Sequence, residues 1–293
     1  MRKEFAKTVI DRMQTDPRVA VVIAAISRDL FPRTDRVVDV GIREQALIGV
    51  AGGLALTGLR PVVHTYAPFL VERPFEQIKL DLGHQEVGAV LVSIGASYDD
   101  PVWGRTHQAP GDVALIDTLP GWTVHVPGHT DEVGPLVEDA LNRDDRVYIR
   151  LSLHENSQAY PTGQGFTEVR RGRKGVVLAV GPVLDRVVKA VEQEQADVTV
   201  LYASTVRPFD GDGLRRALDE TERSDVLLVE PYLEGTSAHV VNEALEEVPH
   251  RLRSLGVKRH LELHAYGTAE DHDAAHDLDV VGISTAVRSF FHR

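Results

Sequence analysis

Short apolar runs alternate with helix-like patterns along almost the entire chain of 293 residues. In the first half, strand-like runs lie at 18–26, 36–40, 60–66, 88–95, 123–127 and 146–152, and helix-like patterns lie at 2–14, 43–57, 69–83 and 131–142. Because strands and helices take turns in this way, the pattern predicts parallel sheets with helices packed on both faces. The expected fold class is α/β.

The alternation stops once, near the middle of the chain, and then starts again. Residues 154–175 contain one proline and four glycines without apolar periodicity, so we expect a linker at 156–172. Beyond it, strand-like runs lie at 176–181, 198–204, 226–230 and 260–267, and helix-like patterns lie at 182–195, 213–222 and 236–248. The sequence therefore predicts two three-layer α/β/α domains, at 1–155 and 173–293.

Charge and composition exclude several classes of function. The net charge of −12 argues against nucleic acid or an anionic membrane as the main partner, because both would repel the protein. The absence of cysteine excludes disulfides, thiolate metal ligands and thiol nucleophiles. The first helix-like pattern has mixed charge, unlike a signal peptide, and no run approaches the ~18 apolar residues of a membrane span. We expect a cytoplasmic protein.

Glu44 begins an otherwise apolar helix-like sequence, EQALIGVAGGLAL. An acidic residue in a first turn can simply complement the helix dipole, which contributes some tenths of a kcal/mol. The residues that follow are apolar on every face, however, so we expect the helix to be buried. Gly49, Gly52 and Gly53 each cost the helix ~1 kcal/mol relative to alanine, which indicates that another element packs close to its backbone.

Four motifs are distinctive: VGIREQALIGVAGGLALTGLRPVVHTYAPFLVERPFEQIK and RTHQ in the first half, and TVRPFDGDGL and DVVGISTAVRSFF in the second half. Together they resemble thiamine-diphosphate enzymes of the transketolase type, a family that includes transketolase, deoxyxylulose-phosphate synthase and the β-subunits of 2-oxoacid dehydrogenases. The first two motifs are similar to the family's pyrimidine-binding domain, and the last two to its C-terminal domain. The resemblance implies that thiamine diphosphate is the cofactor and that Glu44 hydrogen-bonds its pyrimidine nitrogen N1′. A shielded carboxylic acid can share a proton with that nitrogen, whereas glutamine cannot.

The resemblance also assigns roles to four other side chains. Phe69 would stack on the aminopyrimidine, with Tyr66 and Phe75 as further walls of the pocket, because flat apolar faces suit a heteroaromatic ring. His107 would face the substrate and donate a proton or a hydrogen bond to a developing alkoxide. From the pattern alone, aromatic residues with this spacing more often belong to the ordinary core, and a lone histidine usually has a structural role.

Some substrate-binding positions depart from the family pattern. Trp103 stands where the sugar enzymes have an aspartate, and Arg105 replaces a small or polar residue. Leu153 and Leu91 align with a phosphate-binding arginine and histidine, and Ala25 with an aspartate. These changes predict weaker recognition of sugar phosphates, and therefore an altered ketol-transfer or acyloin-type pair of substrates, with Trp103, Arg105 and His107 as substrate contacts. Arg105 could serve as a substitute anion contact.

A metal motif is present by spacing only. The family binds the cofactor's metal through Gly-Asp-Gly and a later asparagine, which 211–213 and Asn242 match, but this triplet opens a helix and does not end a buried strand. We therefore expect no metal ligand in this chain. Only 43 residues precede Glu44, so we expect a separate Gly-Asp-Gly subunit to hold the diphosphate and its Mg²⁺ or Ca²⁺. The family's architecture then implies an α2β2 assembly around a β2 core, with apolar faces at 45–57 and 69–82 as interfaces.

Other charged residues have plain structural explanations. His272 and His276 are four residues apart, but their acidic surroundings are typical of a solvated helix or loop. Arg28 and Arg150 are expected to be surface charges, as is Arg2, which aligns only weakly with a phosphate-binding arginine.

The function expected from the sequence is ketol or acyloin-type transfer between small molecules by the β-type subunit of a split transketolase-like enzyme, inactive without its partner. One alternative is the β-subunit of a 2-oxoacid dehydrogenase, although the Thr-His-Gln triplet favours transketolase. The other is a non-catalytic scaffold or regulatory subunit.

Overall fold

The computed structural model describes residues 1–163 and 165–291. Gln164, in the predicted linker, and residues 292–293, at the end of the predicted second domain, lie outside the described residues. The described strands form two sheets, in agreement with the predicted α/β fold class. The domain boundaries stay predictions.

The first sheet is built mainly from the first half of the chain. Its strands are β1 (Val19–Ile23), β2 (Val37–Asp39), β3 (Arg60–Tyr66), β4 (Val90–Ile94), β5 (Trp122–His125), β6 (Arg146–Arg150) and β10 (Thr205–Arg207). They lie in the order β10-β5-β6-β4-β3-β1-β2. All neighbours are parallel except β10, which comes from the second half and pairs antiparallel with β5.

The first-half helices follow the predicted pattern with one irregularity. They are α1 (Arg2–Thr15), α2 (Glu44–Leu56), α3 (Phe75–Gln77), α4 (Asp112–Asp117) and α5 (Thr130–Asn142). The predicted helix at 69–83 is helical but wider than an α-helix in two places, the π-helical segments Pro68–Glu72 and Ile78–His84. Segments of this kind are rare and occur frequently at functional sites.

The second sheet lies entirely in the second half. Its strands are β7 (Thr167–Arg170), β8 (Val176–Val180), β9 (Thr199–Ala203), β11 (Asp225–Leu233) and β12 (Arg251–Val257), in the order β12-β11-β8-β9-β7. The helices around it are α6 (Leu184–Gln193), α7 (Gly211–Asp219), α8 (Ala238–Ala244), α9 (Ala269–Ala275) and α10 (Val280–Phe291). Strands β8, β9, β11 and β12 are parallel, and β7 is an antiparallel edge strand.

Two sequence predictions about the second half are wrong. The predicted strand 260–267 is a loop, because the edge position beside β11 is taken by the earlier sequence RLRSLGV of β12. The predicted linker 156–172 contains β7, whose polar sequence TEVR suits an exposed sheet edge. Strand β10 was not predicted from the sequence. It has only three residues, TVR, which are too few to form a recognisable apolar run.

Helix α2 packs closely on one side only. A Cβ atom on Gly52 would come within 2.7 Å of the backbone oxygen of Asp81, so only glycine fits this contact between α2 and the second π-helical segment. Gly53, in contrast, faces open space. The expectation that α2 is buried on every face is therefore wrong for this single chain, since Leu56 at its end is 60% exposed.

Across the described ranges, the helices are all too short or too polar to cross a lipid bilayer.

Candidate active site

The predicted site residues gather beyond the carboxyl ends of the strands in the first sheet. Glu44 opens α2 shortly after β2, Tyr66 is the last residue of β3, and Phe69 lies in the π-helical turn that follows. His107 belongs to the loop that follows β4. Ligands of open α/β sheets bind at this edge, so the fold brings the residues together where a site is expected.

Glu44 is buried, with 3% of its surface exposed, and it is paired with an arginine. The guanidinium of Arg73 donates from Nη1 to Oε1 of Glu44 at 2.8 Å. The same guanidinium lies over the ring of Phe69, with its central carbon 4.2 Å from the ring centroid. One planar group thus contacts both the carboxylate and the aromatic ring.

Arg73 was not identified from the sequence, although a signal was available. It lies four residues after Phe69 in a helical stretch, and residues with this spacing share a helix face. Its backbone is fixed on both sides: its N–H donates to the carbonyl of Pro68 at 3.0 Å, and its carbonyl accepts from Nε2 of Gln45 at 3.3 Å. Gln45 follows Glu44 directly, so the two walls of this site are joined.

His107 stands among three aromatic side chains. Its ring centroid lies 4.9 Å from that of Phe69, 5.3 Å from that of Tyr66 and 5.7 Å from that of Trp103. The contacts to Phe69 and Tyr66 are edge-to-face, at 73° and 83°. In the described part of the chain, Phe75 is not among these ring contacts, so its pocket role stays a prediction.

Tyr66 is held against the backbone of the loop after β4. A Cβ atom on Gly95 would lie 2.5 Å from Cδ1 of Tyr66, and Gly95 has a φ of +71°. Both features require glycine, so Gly95 fixes how the ring of Tyr66 stands in the site. A glycine after a strand is common, so Gly95 carries no specific signal in the sequence.

The loop that carries His107 contains two short 3₁₀ turns, Pro101–Trp103 and Arg105–His107. Within it, Nε1 of Trp103 donates to Asp100 at 2.8 Å, and Oγ1 of Thr106 lies 3.0 Å from Nδ1 of His107. The loop thus holds its indole and its imidazole through its own side chains.

Arg105, the expected anion contact, has two partners, and its role stays a prediction. It donates to the carbonyl of Gln108 at 2.9 Å, and its Nε lies 3.6 Å from Glu262. Glu262 belongs to the loop that replaces the predicted strand 260–267. The ring of Tyr266 in the same loop packs against Gly104, so the second half of the chain supports the His107 loop from outside.

A cavity of about 240 Å³ opens beside Tyr66. Its lining includes Arg2, Asp100, Leu153 and Glu155, so it carries charges of both signs. Leu153 is 68% exposed in this lining, and its alignment with a substrate-binding position stays a prediction. Leu91 is completely buried inside β4 and is not among the residues that line this cavity.

Arg150 is not a surface charge, contrary to the sequence prediction. It is 1% exposed, and its Nε donates to Asp112 at 2.7 Å. Its Nη2 donates to Ser97 at 2.6 Å, and Ser97 in turn donates to the carbonyl of Pro231 at 2.6 Å. The arginine therefore links the loop after β4 to the second sheet and has a structural role.

His272 and His276 also have structural roles, but they are not solvated as predicted. They are 2% and 3% exposed, and their rings stack on Tyr98 with centroid distances of 4.8 and 5.7 Å. Burial lowers the pKa of His276 to about 4, so it is neutral near pH 7. Among the described residues, no three His, Asp or Glu side chains are grouped so that they could hold a metal ion.

The Gly-Asp-Gly triplet serves its own helix. Asp212 forms an ion pair with Arg215 within α7, and Asn242 shares a hydrogen bond of 2.9 Å with His250. These contacts explain both residues without a metal.

Comparison with known proteins shows which proteins this chain is similar to. Residues 1–157 match the family model for the transketolase pyrimidine binding domain. A Rhodococcoides fascians protein, described as an uncharacterized 33.6 kDa protein in the fasciation locus, is 52% identical over 98% of this chain and 93% of its own length. One of the subunits of the apulose-4-phosphate transketolase of Actinobacillus succinogenes is 31% identical over 78% of this chain and 75% of its own length.

A solved structure shares the fold of nearly the whole chain. It is a split gene transketolase in an inactive β4 tetramer, which superposes with a TM-score of 0.84 at 24% identity and covers 99% of this chain and 98% of that one. The family model matches more than half of the chain, and the resemblance seen in the sequence is thereby confirmed. The chain belongs to the transketolase family, through its pyrimidine-binding domain, and is related to the subunits of split transketolases.

Proposed function

We propose that this chain is the pyrimidine-binding, β-type subunit of a split transketolase-like enzyme. It would transfer a two-carbon ketol or an acyloin-type fragment between small molecules. The name of the Actinobacillus relative, a transketolase subunit, supports ketol transfer over the 2-oxoacid dehydrogenase alternative. Retention of a buried carboxylate beside aromatic rings argues against a purely scaffolding role.

The observation that carries the proposal is the shared guanidinium of Arg73. Because one flat, nitrogen-rich group donates to Glu44 and lies over the ring of Phe69 at the same time, these two residues define a slot for such a group. The aminopyrimidine of thiamine diphosphate is flat, has ring nitrogens at its edge and has an aromatic face. The residues present therefore fit the cofactor that the family uses.

The roles of the side chains follow from this arrangement. Bound thiamine diphosphate would supply the carbon nucleophile that attacks the donor carbonyl. Glu44, shielded from water, would hold a shared proton at the ring nitrogen N1′, and Phe69 would orient the ring by stacking. His107, beside Phe69, would donate a hydrogen bond to the oxyanion that develops on the substrate. Tyr66 and Trp103 would wall off the reacting centre from water, with Phe75 further along the pocket.

We assign the diphosphate and its Mg²⁺ or Ca²⁺ to a separate Gly-Asp-Gly subunit, because this chain's own triplet is engaged within α7. An α2β2 assembly with a β2 core would join the two. Large apolar side chains in or next to the expected interface segments support this: Ile42, Leu56 and Leu80 are 76%, 60% and 42% exposed. Exposed apolar side chains of this size are typical of surfaces that a partner covers.

We infer that the substrates differ from those of sugar-phosphate transketolases. Trp103 is 57% exposed beside His107, and Leu153 offers an apolar surface where the family has a phosphate-binding arginine. Arg105 stays a candidate anion contact, because its ion pair with Glu262 is exposed on both sides and holds it only weakly. A substrate with fewer hydroxyl and phosphate groups near Trp103 and Leu153 fits this lining best.

The test is to express the chain together with a Gly-Asp-Gly subunit encoded by a neighbouring reading frame. Ketol transfer by the complex is then assayed from several donors with thiamine diphosphate and Mg²⁺. We expect turnover by the complex, none by either chain alone, and loss of turnover in Glu44→Gln. A requirement for a lipoyl protein as acceptor would favour the dehydrogenase alternative. Full activity of Glu44→Gln would favour the scaffold and contradict the proposal.

A further inference from the structure

Arg73 occupies the slot that the proposed function gives to the cofactor. Its guanidinium donates to Glu44 at 2.8 Å and lies 4.2 Å from the centroid of Phe69. A ring that stacks on the same face of Phe69 and reaches the same carboxylate would have to fill this space. Two flat groups cannot occupy one van der Waals layer, so the arginine and the ring exclude each other.

We propose that Arg73 is a displaceable substitute for the aminopyrimidine: its guanidinium fills the slot between Glu44 and Phe69 and leaves when the cofactor enters. This inference rests on the proposed function. It makes Arg73 a residue that sets cofactor affinity, because every binding event must first break its contacts to Glu44 and Phe69.

The structure allows the side chain to leave without a change in the backbone. The backbone of Arg73 is fixed by Pro68 and Gln45, as described above, whereas its side chain is 42% exposed. A rotation about the side-chain bonds would move the guanidinium into water, where a cation is well solvated. The movement is therefore local.

The contact with Arg73 also gives the buried carboxylate of Glu44 a partner. A buried carboxylate without a partner is strongly unfavourable, and a charge-assisted hydrogen bond from an arginine removes most of that cost. A purely structural ion pair would give the same benefit, but it predicts a different response to mutation. Removing a structural pair would disturb the slot and weaken binding, whereas removing a competitor would strengthen it.

The experiment measures binding of the pyrimidine half of the cofactor to the purified full chain, by calorimetry and ligand-observed NMR. The probe is the free aminopyrimidine alcohol from which thiamine is built, because it needs no diphosphate site. We expect Arg73→Ala and Arg73→Gln to bind it about tenfold more tightly than the original chain, which corresponds to ~1.4 kcal/mol. The matched control is Arg43→Ala, which removes the positive charge next to Glu44 in sequence. The side chain of Arg43 donates to the carbonyl of Val40.

Glu44→Gln, made in both the original and the Arg73→Ala backgrounds, separates this inference from the proposed function. Tighter binding in both Arg73 variants, unchanged binding in Arg43→Ala and weaker binding after Glu44→Gln would support the inference. Unchanged or weaker binding in the Arg73 variants, with an effect of Glu44→Gln, would overturn it and leave the proposed function standing. Failure of the probe to bind any Arg73 variant, up to its solubility limit, would also overturn it. If Glu44→Gln leaves the affinity for the probe unchanged in both backgrounds, the proposed function is overturned as well.

Discussion

The buried pair of Arg150 and Asp112 gives the sharpest prediction about stability. Both side chains are almost completely inaccessible to solvent, at 1% and 0% exposed. Asp112 accepts from Nε of Arg150 at 2.7 Å and from the hydroxyl of Tyr148 at 2.7 Å. Replacing the arginine by methionine keeps most of the volume but leaves the carboxylate with two neutral donors, the hydroxyl of Tyr148 and the backbone N–H of Val113, and no opposite charge beside it.

The expected loss is large because one charge remains buried. Removing one partner of a buried ion pair typically costs about 3–5 kcal/mol. A chain of 293 residues has an unfolding entropy of about 0.6 kcal/mol per kelvin. Arg150→Met should therefore lower the melting temperature by ~5–8 °C. In the double variant Arg150→Met with Asp112→Leu, both charges are absent. The double variant should therefore recover much of the stability that the single variant loses.

The assay is thermal and urea unfolding of the purified chain, followed by circular dichroism. Arg171→Ala is the control: its ion pairs with Glu168 and Glu220 are exposed on both sides, and such pairs contribute about 0–1 kcal/mol. A loss below about 1 kcal/mol in Arg150→Met, or a double variant no more stable than the single one, would refute the reasoning.

Three further predictions follow from single residues. Burial raises the pKa of Glu230 to about 7, so the folded state keeps a proton that the unfolded state releases. The contribution of Glu230 to the free energy of unfolding should therefore fall by ~3 kcal/mol between about pH 4.5 and pH 7. In urea unfolding across that range, Glu230→Gln should lack this dependence on pH, and an unchanged dependence would contradict the assignment. Burial lowers the pKa of His64 to about 4, so the folded state binds fewer protons at this residue than the unfolded state does. The contribution of His64 to the free energy of unfolding should therefore be lost as the pH falls from about 6.5 to about 4. His64→Gln should reduce the dependence of this free energy on pH in that range. Gly95→Ala would push against Tyr66 at a positive φ, so it should lower stability by at least ~1–2 kcal/mol and impair turnover of the complex, and an unaffected melting curve would argue against the close contact.

The fold was largely predictable because most strands are apolar and buried. Strands β1, β4, β8 and β9 are buried at every position, and such runs between helices are diagnostic of a parallel sheet. The edges were less predictable. The alternating sequence of β12 and the sequence at 260–267 look alike, and only pairing with β11 decides between them.

The site was predictable where one residue carries its own signal. Glu44, Phe69 and His107 stand in recognisable motifs, and the fold brings them together. The contact of Arg73 with Glu44 joins residues 29 apart in sequence, so the sequence could suggest its stacking on Phe69 but not its ion pair. The burial of Arg150 likewise depends on Asp112, 38 residues away, and a strand-end arginine carries no sign of such a partner.

The most direct test of the proposed chemistry is a structure of the two-chain complex with thiamine diphosphate bound. The account predicts that the carboxylate of Glu44 is hydrogen-bonded to the pyrimidine nitrogen N1′, that Phe69 lies against the ring, and that the guanidinium of Arg73 has moved away. A bound cofactor whose pyrimidine lies elsewhere, with Glu44 still paired to Arg73, would contradict it.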